Sequence, residues 1–423
     1  MMDAPALRKN IVRFLCTDQL ELLDAEETEW MRNLRWLDRS GLALPLAARF
    51  EALSPGARVP SAVSAALRSR LRDNQKRMER MLDYLHEAVE ALNSSQVRYC
   101  CVKGFSLIPD CFNSIRERHQ IDLDLLVDPR DLRPAQDALE QLDYRVQRAD
   151  DSGEVRLIRP WKKHLGVQAY LYQTPEPPPI ELHTQVWELD EIEFPSLSDF
   201  LDARESHEIR GVEFTRLRPA QHFVYLVLHI FRHLLGSWTR ALSLYEVANF
   251  IRKRSSDKAV WAEAAQIIER DTVLASACAL VLSLVDRMFP IDMPPPLRQI
   301  SRRNLSLESA LWIERYSTAW LLTDPPGGKL SLLVQRQFWT DRGRWRRYLT
   351  RRLLPFRKPH PLSDEAVKST KNGLAYRAEE AWYKASRALY HVRSDFEYLR
   401  EWVGWTQQEQ ARVEGSRRIL DQF

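Results

Sequence analysis

Along the chain the spacing of hydrophobic positions changes twice. Over residues 1 to about 95 apolar residues recur three and four apart. The clearest run is 61–93, where Leu67, Leu71, Met78, Met81, Leu82, Leu85 and Val89 share one side of a helix. Asn93, Ser94 and Ser95 close it with turn-forming residues. From Val97 the period shortens: 97–102 reads as a buried strand, and 121–127, Ile-Asp-Leu-Asp-Leu-Leu-Val, alternates and then runs apolar. The segment from Asp128 opens a helix with Ala135, Ala138, Leu139 and Leu142 on one face. Further strands are expected over 144–148, 155–158, 165–171 and 180–187, with the proline-rich 174–179 as a loop before the last. After about residue 215 helical spacing returns, over 219–235, 240–252, 260–269 and 274–288. Residues 290–296 break the pattern, and a last helical region covers roughly 365–405. There is no internal repeat and no low-complexity tract.

A chain of 423 residues exceeds one ordinary core, so two or three domains are expected. The pattern divides it into a helical N-terminal region (1–95), an α/β core (96–215), a helical domain (216–330), and a basic segment with C-terminal helices (331–423). With 44% hydrophobic and 28% charged residues the chain is globular rather than disordered, and only 13 glycines suit a mostly helical protein. The net charge of +4 selects no partner, although the excess sits near the C-terminal third. Cys16, Cys100, Cys101, Cys111 and Cys278 are odd in number and lack paired spacing, which favours a reducing compartment over a disulfide framework or zinc ribbon. The N-terminus has charges where a signal peptide needs its apolar stretch. The longest apolar run, near 273–285, is too short to span a bilayer. A cytoplasmic protein without a transmembrane segment is expected.

The candidate chemistry begins at Asp122 and Asp124. Residues two apart on a strand face the same way, so Asp-Leu-Asp presents two carboxylates side by side. Like charges held that close call for a cation, and Mg²⁺ (or Mn²⁺) suits carboxylates shared with substrate phosphates. Two solvated aspartates at a strand edge are the plain alternative. Lys103-Gly104-Phe105-Ser106 follows the first strand and is expected to open a helix; a glycine there lets backbone approach phosphate, and Lys103 and Ser106 can add contacts. Taken alone, this is equally a tight strand-to-helix turn. Ile180-Glu181-Leu182-His183 places a third carboxylate on another strand, to complete a metal triad or to act as a base. His183 shares its face, on the acceptor side, and Arg118 is a candidate phosphate contact.

Lys103-Gly104, Arg118, Asp122-Leu-Asp-Leu-Leu-Val127, Leu142-Asp-Tyr144 and Glu181-Leu-His183 together resemble the uncharacterised nucleotidyltransferase family of the DNA polymerase β superfamily. That family shows an LKG turn, an R…DIDLLV strand, a helix ending in L-x-Tyr and a later ELH strand. Leu226-Val-Leu-His229 through Arg240-Ala-Leu-Ser-Leu-Tyr-Glu246 resembles its downstream helical part, so the resemblance spans roughly 75–250. It implies an α+β fold, a small mixed-sheet nucleotidyltransferase core flanked by N- and C-terminal helical regions. It also implies Asp122 and Asp124 as metal ligands and Glu181 as the third carboxylate. Two positions depart from the pattern: Gly104-Phe105-Ser106 replaces the superfamily's Gly-Ser pair, and Glu246 replaces an aspartate.

His229 and His233 sit four apart on one helix face without an HExxH glutamate, so a structural role lining the cleft is preferred to a zinc site. The stretch from Arg336 to Lys358 holds nine Arg or Lys and one Asp, with Trp345, Leu349 and Leu353 aligned on a helix. It offers a contact for a polyanion or a membrane surface, or else a solvated helix packed by its apolar side. The aromatic residues Trp382, Tyr383, Tyr390, Phe396, Tyr398, Trp402 and Trp405 read as helix packing rather than a base-stacking platform. The leading expectation is a metal-dependent enzyme that moves a nucleoside monophosphate, AMP favoured, from an NTP to an unidentified acceptor hydroxyl, with ATP as the favoured donor and Lys103, Gly104, Ser106 and Arg118 at the nucleotide. The alternatives are a toxin-like transferase acting on tRNA or protein, and a non-catalytic module that binds nucleic acid or a partner.

Overall fold

A computed structural model describes residues 6–53, 58–149, 154–159, 171–173, 177–187, 192, 194, 197–237, 239–324, 327–354 and 374–412. Four helices lead: α1 (Ala6–Thr17), α2 (Glu27–Ser40), α3 (Ala43–Leu53) and α4 (Ser61–Ser94). The α/β part follows as β1 (Tyr99–Cys101), β2 (Leu123–Val127), α5 (Leu132–Glu140), β3 (Arg145–Ala149), β4 (Glu154–Ile158), β5 (Ile180–His183), β6 (Arg204–Ile209) and β7 (Val212–Leu217). Helices then take over: α6 (Pro219–Leu235), α7 (Ala241–Lys253), α8 (Lys258–Ile268), α9 (Thr272–Met288), α10 (Pro295–Asn304), α11 (Leu307–Leu322), α12 (Leu332–Gln335), α13 (Arg342–Leu353) and α14 (Leu374–Arg412).

The strands form a mixed seven-stranded sheet in the order β3-β4-β5-β2-β1-β7-β6. At its centre β2 runs antiparallel to β1 and parallel to β5. Period-two alternation divides the side chains of these strands between two cores. Leu123, Leu125, Val127, Ile180 and Leu182 pack with Met78 to Leu92 of α4 and with α5 in one cluster. Cys100, Val102 and Leu126 face the other way, into the larger core of α1–α3 and the helices after β7. The long helix α4 joins both, since Val63, Leu67 and Leu71 belong to the larger cluster. The carboxylate face of β2 and β5 therefore looks toward the helical part of the molecule and not toward α4.

Three features differ from the sequence expectation. The residues after Lys103 form a single 3₁₀ turn, Gly104–Leu107, not a full helix. Strand β2 starts at Leu123, leaving Asp122 just ahead of its first ladder residue. The hairpin of β6 and β7 was not expected at all; its strands are joined at Arg210-Gly211, both with positive φ, which is the backbone a two-residue turn between twisted strands requires. Of the strand expected over 165–171, residues 165–170 lie outside the described residues and Leu171 is helical; residues 365–373 of the expected last helix and 355–358 of the basic stretch also lie outside the described residues.

Among the described residues no helix is long and apolar enough to cross a membrane. The basic helix α13 is docked by its apolar side: Trp345 is buried, the Tyr348 hydroxyl donates to the Leu235 carbonyl at 2.7 Å, and Arg352 donates to the Gly236 carbonyl at 2.5 Å. Arg342, Arg344, Arg346, Arg347 and Arg351 remain exposed on its outer side.

Candidate active site

The chain leaves β1 and turns at Gly104, where φ is +63° and a Cβ would overlap the side-chain amide of Gln120. Glycine is thus demanded twice, by the left-handed backbone and by the close approach. Gln120 in turn donates from Nε2 to the Asp122 carbonyl at 2.6 Å, so the turn after β1 and the entry to β2 hold each other in place.

Parallel pairing of β2 with β5 sets Asp124 beside Glu181 and Leu126 beside His183. Lys103 Nζ donates to Asp124 Oδ1 at 2.6 Å, and His183 Nε2 lies 3.2 Å from the same oxygen. On the other side of β5, Arg156 of β4 stands opposite Glu181 and donates to its Oε1 at 2.6 Å. Asp124, Glu181 and His183 each offer a ligand atom, all within 4.8 Å of one another.

The two aspartates are held in opposite electrostatic states. Burial raises the carboxyl of Asp124, but Lys103 and the hydrogen bond from His183 outweigh it and hold the group well below the usual carboxylate range. Burial, with the neighbouring charges of Asp124 and Glu181, pushes Asp122 up to about 7, against the weaker pull of Lys103 and Arg156. Burial alone would lower Lys103; the Asp124 carboxylate, with Tyr225 and Asp122, reverses that and keeps it protonated. The cluster thus pairs Asp124 with a lysine, while burial and two neighbouring carboxylates hold Asp122 up.

Two other candidate residues are engaged elsewhere. The Ser106 hydroxyl donates to the Lys103 carbonyl at 3.1 Å and lies 3.3 Å from His222 Nε2, fully buried, so it braces the turn. Arg118 donates from Nε to Glu246 Oε1 of α7 at 2.7 Å. Burial would lower this guanidinium; the Glu246 ion pair raises it, with Asp124 and Asp122 adding to the effect. His229 and His233 lie on α6 with ring centroids 4.0 Å apart and their planes tilted by 58°, and Tyr225 lies nearly parallel to His229 at 6.2 Å. Burial drives both imidazoles well below their ordinary range, and nearby Lys103 adds to it, so both are neutral rings.

Arg156, Gln120 and Tyr225 are neighbours of the site that sequence reasoning did not single out. For Arg156 a signal existed: it alternates with Val155 and Leu157 on an expected strand and therefore lies on the polar face. Its pairing with Glu181 depends on β4 lying next to β5, which no local pattern reveals.

The family described as uncharacterised nucleotidyltransferase matches residues 26–290, more than half of the chain. Among solved structures, that of the antibiotic-resistance factor ANT(2'')-Ia is similar at 13% identity over 45% of this chain and 91% of that one, with a TM-score of 0.30. No curated protein matches.

Proposed function

The chain belongs to the uncharacterised nucleotidyltransferase family, and from that premise we propose that it transfers a nucleoside monophosphate, with AMP favoured, from an NTP to an acceptor hydroxyl, releasing pyrophosphate. The observation that carries this reading is the register of Asp124 beside Glu181 on adjacent parallel strands, with Asp122 one residue ahead of β2 and Lys103 against Asp124.

The donor set fits a hard divalent cation. Asp124 and Glu181 bring carboxylate oxygens within 4.8 Å of each other, ligands that Mg²⁺ or Mn²⁺ prefers, and the charge of Asp122 acts on the same cluster. When bound, the ion supplies charge neutralisation for the triphosphate. The chain's own residues do the rest. Lys103, whose ammonium lies at the carboxylate cluster, supplies positive charge for the phosphates. Gly104 lets the backbone of the turn come close to them. Glu181, with Arg156 on Oε1, either completes the carboxylate set for the cation or receives the proton of the attacking hydroxyl. His183 steadies Asp124, and Arg118 contributes positive potential from its place against Glu246.

Calorimetric titration of ATP and of GTP, with and without Mg²⁺, tests this on the wild type and on Asp122→Asn/Asp124→Asn. Mg²⁺-dependent binding that the double variant loses supports the reading. A folded wild type that binds neither nucleotide overturns it and favours the non-catalytic module.

A further inference from the structure

The 39-residue helix α14 carries apolar side chains on two sides. One side is spent on the body of the protein: Tyr398 and Trp405 are buried, Trp405 lies 6.1 Å from Tyr316, and Lys329 donates to Asp395 at 2.5 Å. The aromatic residues of this region thus pack as the sequence suggests only in part; the side chain of Tyr383 lies outside the described residues. On the outer side Trp382, Leu389, Val392, Phe396, Leu399 and Val403 stand in solvent, from 75% exposed at Trp382 to 52% at Leu399 and Val403.

Their spacing is informative. From Leu389 to Val403 the steps are three, four, three and four, and the exposed Ala385 fills the step between Trp382 and Leu389. Seven consecutive positions therefore follow a strict 3.5-residue repeat with no charged residue among them. A helix that only rests on its own domain needs a broad stripe at a period near 3.6; a narrow seam at 3.5 is what a second helix winding along it requires. A helix lying in a membrane interface likewise favours a broad apolar face, so the narrow seam argues for a helical partner.

We propose that α14 is a self-association helix, and that two copies of this chain pair through the seam from Trp382 to Val403. The area supports a second copy as the occupant. The six large exposed residues present on the order of 700 Å² per chain, close to the roughly 800 Å² per partner of a stable interface. The flanks do not oppose pairing, because Arg393 lies 3.9 Å from Glu397 and Arg400 lies 2.9 Å from Glu401, which balances their charge within each helix. The buried side of α14 stays with its own body, so pairing needs no rearrangement of the protomer.

The experiment is sedimentation equilibrium on the full chain over a roughly hundredfold range of concentration, with Leu389→Glu/Phe396→Glu alongside. Both residues are exposed in the protomer, so the variant should keep the wild-type circular dichroism spectrum. Should it not, Val392→Lys/Leu399→Lys takes its place. A wild type that reaches twice the chain mass and a variant that stays at one chain mass are expected. A wild type monomeric throughout overturns the proposal, and if it then floats with phosphatidylserine vesicles, the stripe is a membrane contact instead. A variant that dimerises like the wild type overturns it as well, since the seam then takes no part.

Discussion

Arg118 and Glu246 are joined by a 2.7 Å hydrogen bond between Nε and Oε1 that bridges 128 residues of chain. It ties the segment entering β2 to α7, and so fixes the start of the central strand that carries Asp122 and Asp124 against the helical part. Glu246 is buried and Arg118 nearly so. Glu246→Ala leaves the guanidinium without its carboxylate and is expected to cost about 3–5 kcal/mol. The apolar double replacement Arg118→Met/Glu246→Leu should cost less than this single change, because no unpaired charge remains. Urea unfolding at constant slope measures both. A loss below about 0.5 kcal/mol for Glu246→Ala would show that the pair does not hold the two parts together.

Asp122 makes stability depend on pH in a defined direction. Its carboxyl rises from the ordinary 3.8 to about 7 in the folded protein. Between those values the folded state binds more protons than the unfolded chain, so this group destabilises the fold increasingly as pH rises from about 4 to about 7. Asparagine binds no proton there. In metal-free buffer Asp122→Asn should therefore melt higher than the wild type at pH 8, and the gap should narrow steadily toward pH 5. Melting curves recorded across that range in the presence of a chelator decide it: two parallel lines would mean that Asp122 titrates normally.

How much of this was legible in the sequence follows from how local each feature is. The Asp-Leu-Asp strand and Glu181-Leu-His183 were legible because alternation and apolar neighbours mark them within six residues. Helix α6 was read with its observed ends, Pro219 and Leu235, since a proline starts it and an apolar face runs its length. The β6–β7 hairpin was missed because β6 carries Arg, Glu and His with little hydrophobic contrast, which left the short alternation of β7 without an evident partner strand. For the candidate site residues, the local sequence did not supply their partners. Ser106 reads as a phosphate ligand by its place after Gly104, but the single 3₁₀ turn rotates it against His222. Arg118 reads likewise, and its partner lies too far along the chain for any local pattern to supply.

Gly104 gives a test of the turn that separates two causes of strain. Alanine there must accept φ near +63° and also displace the Gln120 amide. The backbone part alone costs about 1–2 kcal/mol. Gly104→Ala should therefore lose more than that, and Gln120→Ala placed on top should restore the steric part only. Equilibrium unfolding of the two variants, beside Gln120→Ala alone, gives the coupling energy. Strict additivity would mean that the two residues do not touch and that the turn is set elsewhere.

Lys103 is predicted to separate metal binding from nucleotide binding. Its ammonium occupies Asp124 Oδ1 at 2.6 Å, an oxygen that the proposed cation also needs. Lys103→Met frees that oxygen and removes a positive charge beside the carboxylates, so Mg²⁺ or Mn²⁺ alone should bind at least as tightly as to the wild type. The same change removes a charge-assisted contact to the phosphates, worth about 1.5–3 kcal/mol, so Mg²⁺-ATP should bind about tenfold more weakly or worse. Titrating Mn²⁺ alone by its paramagnetic signal and Mg²⁺-ATP by calorimetry reads the two effects independently. Unchanged affinity for Mg²⁺-ATP would reduce Lys103 to a counter-ion of Asp124 and remove it from the nucleotide site. Weakened Mn²⁺ binding would instead show that Lys103 organises the carboxylates and does not compete for them.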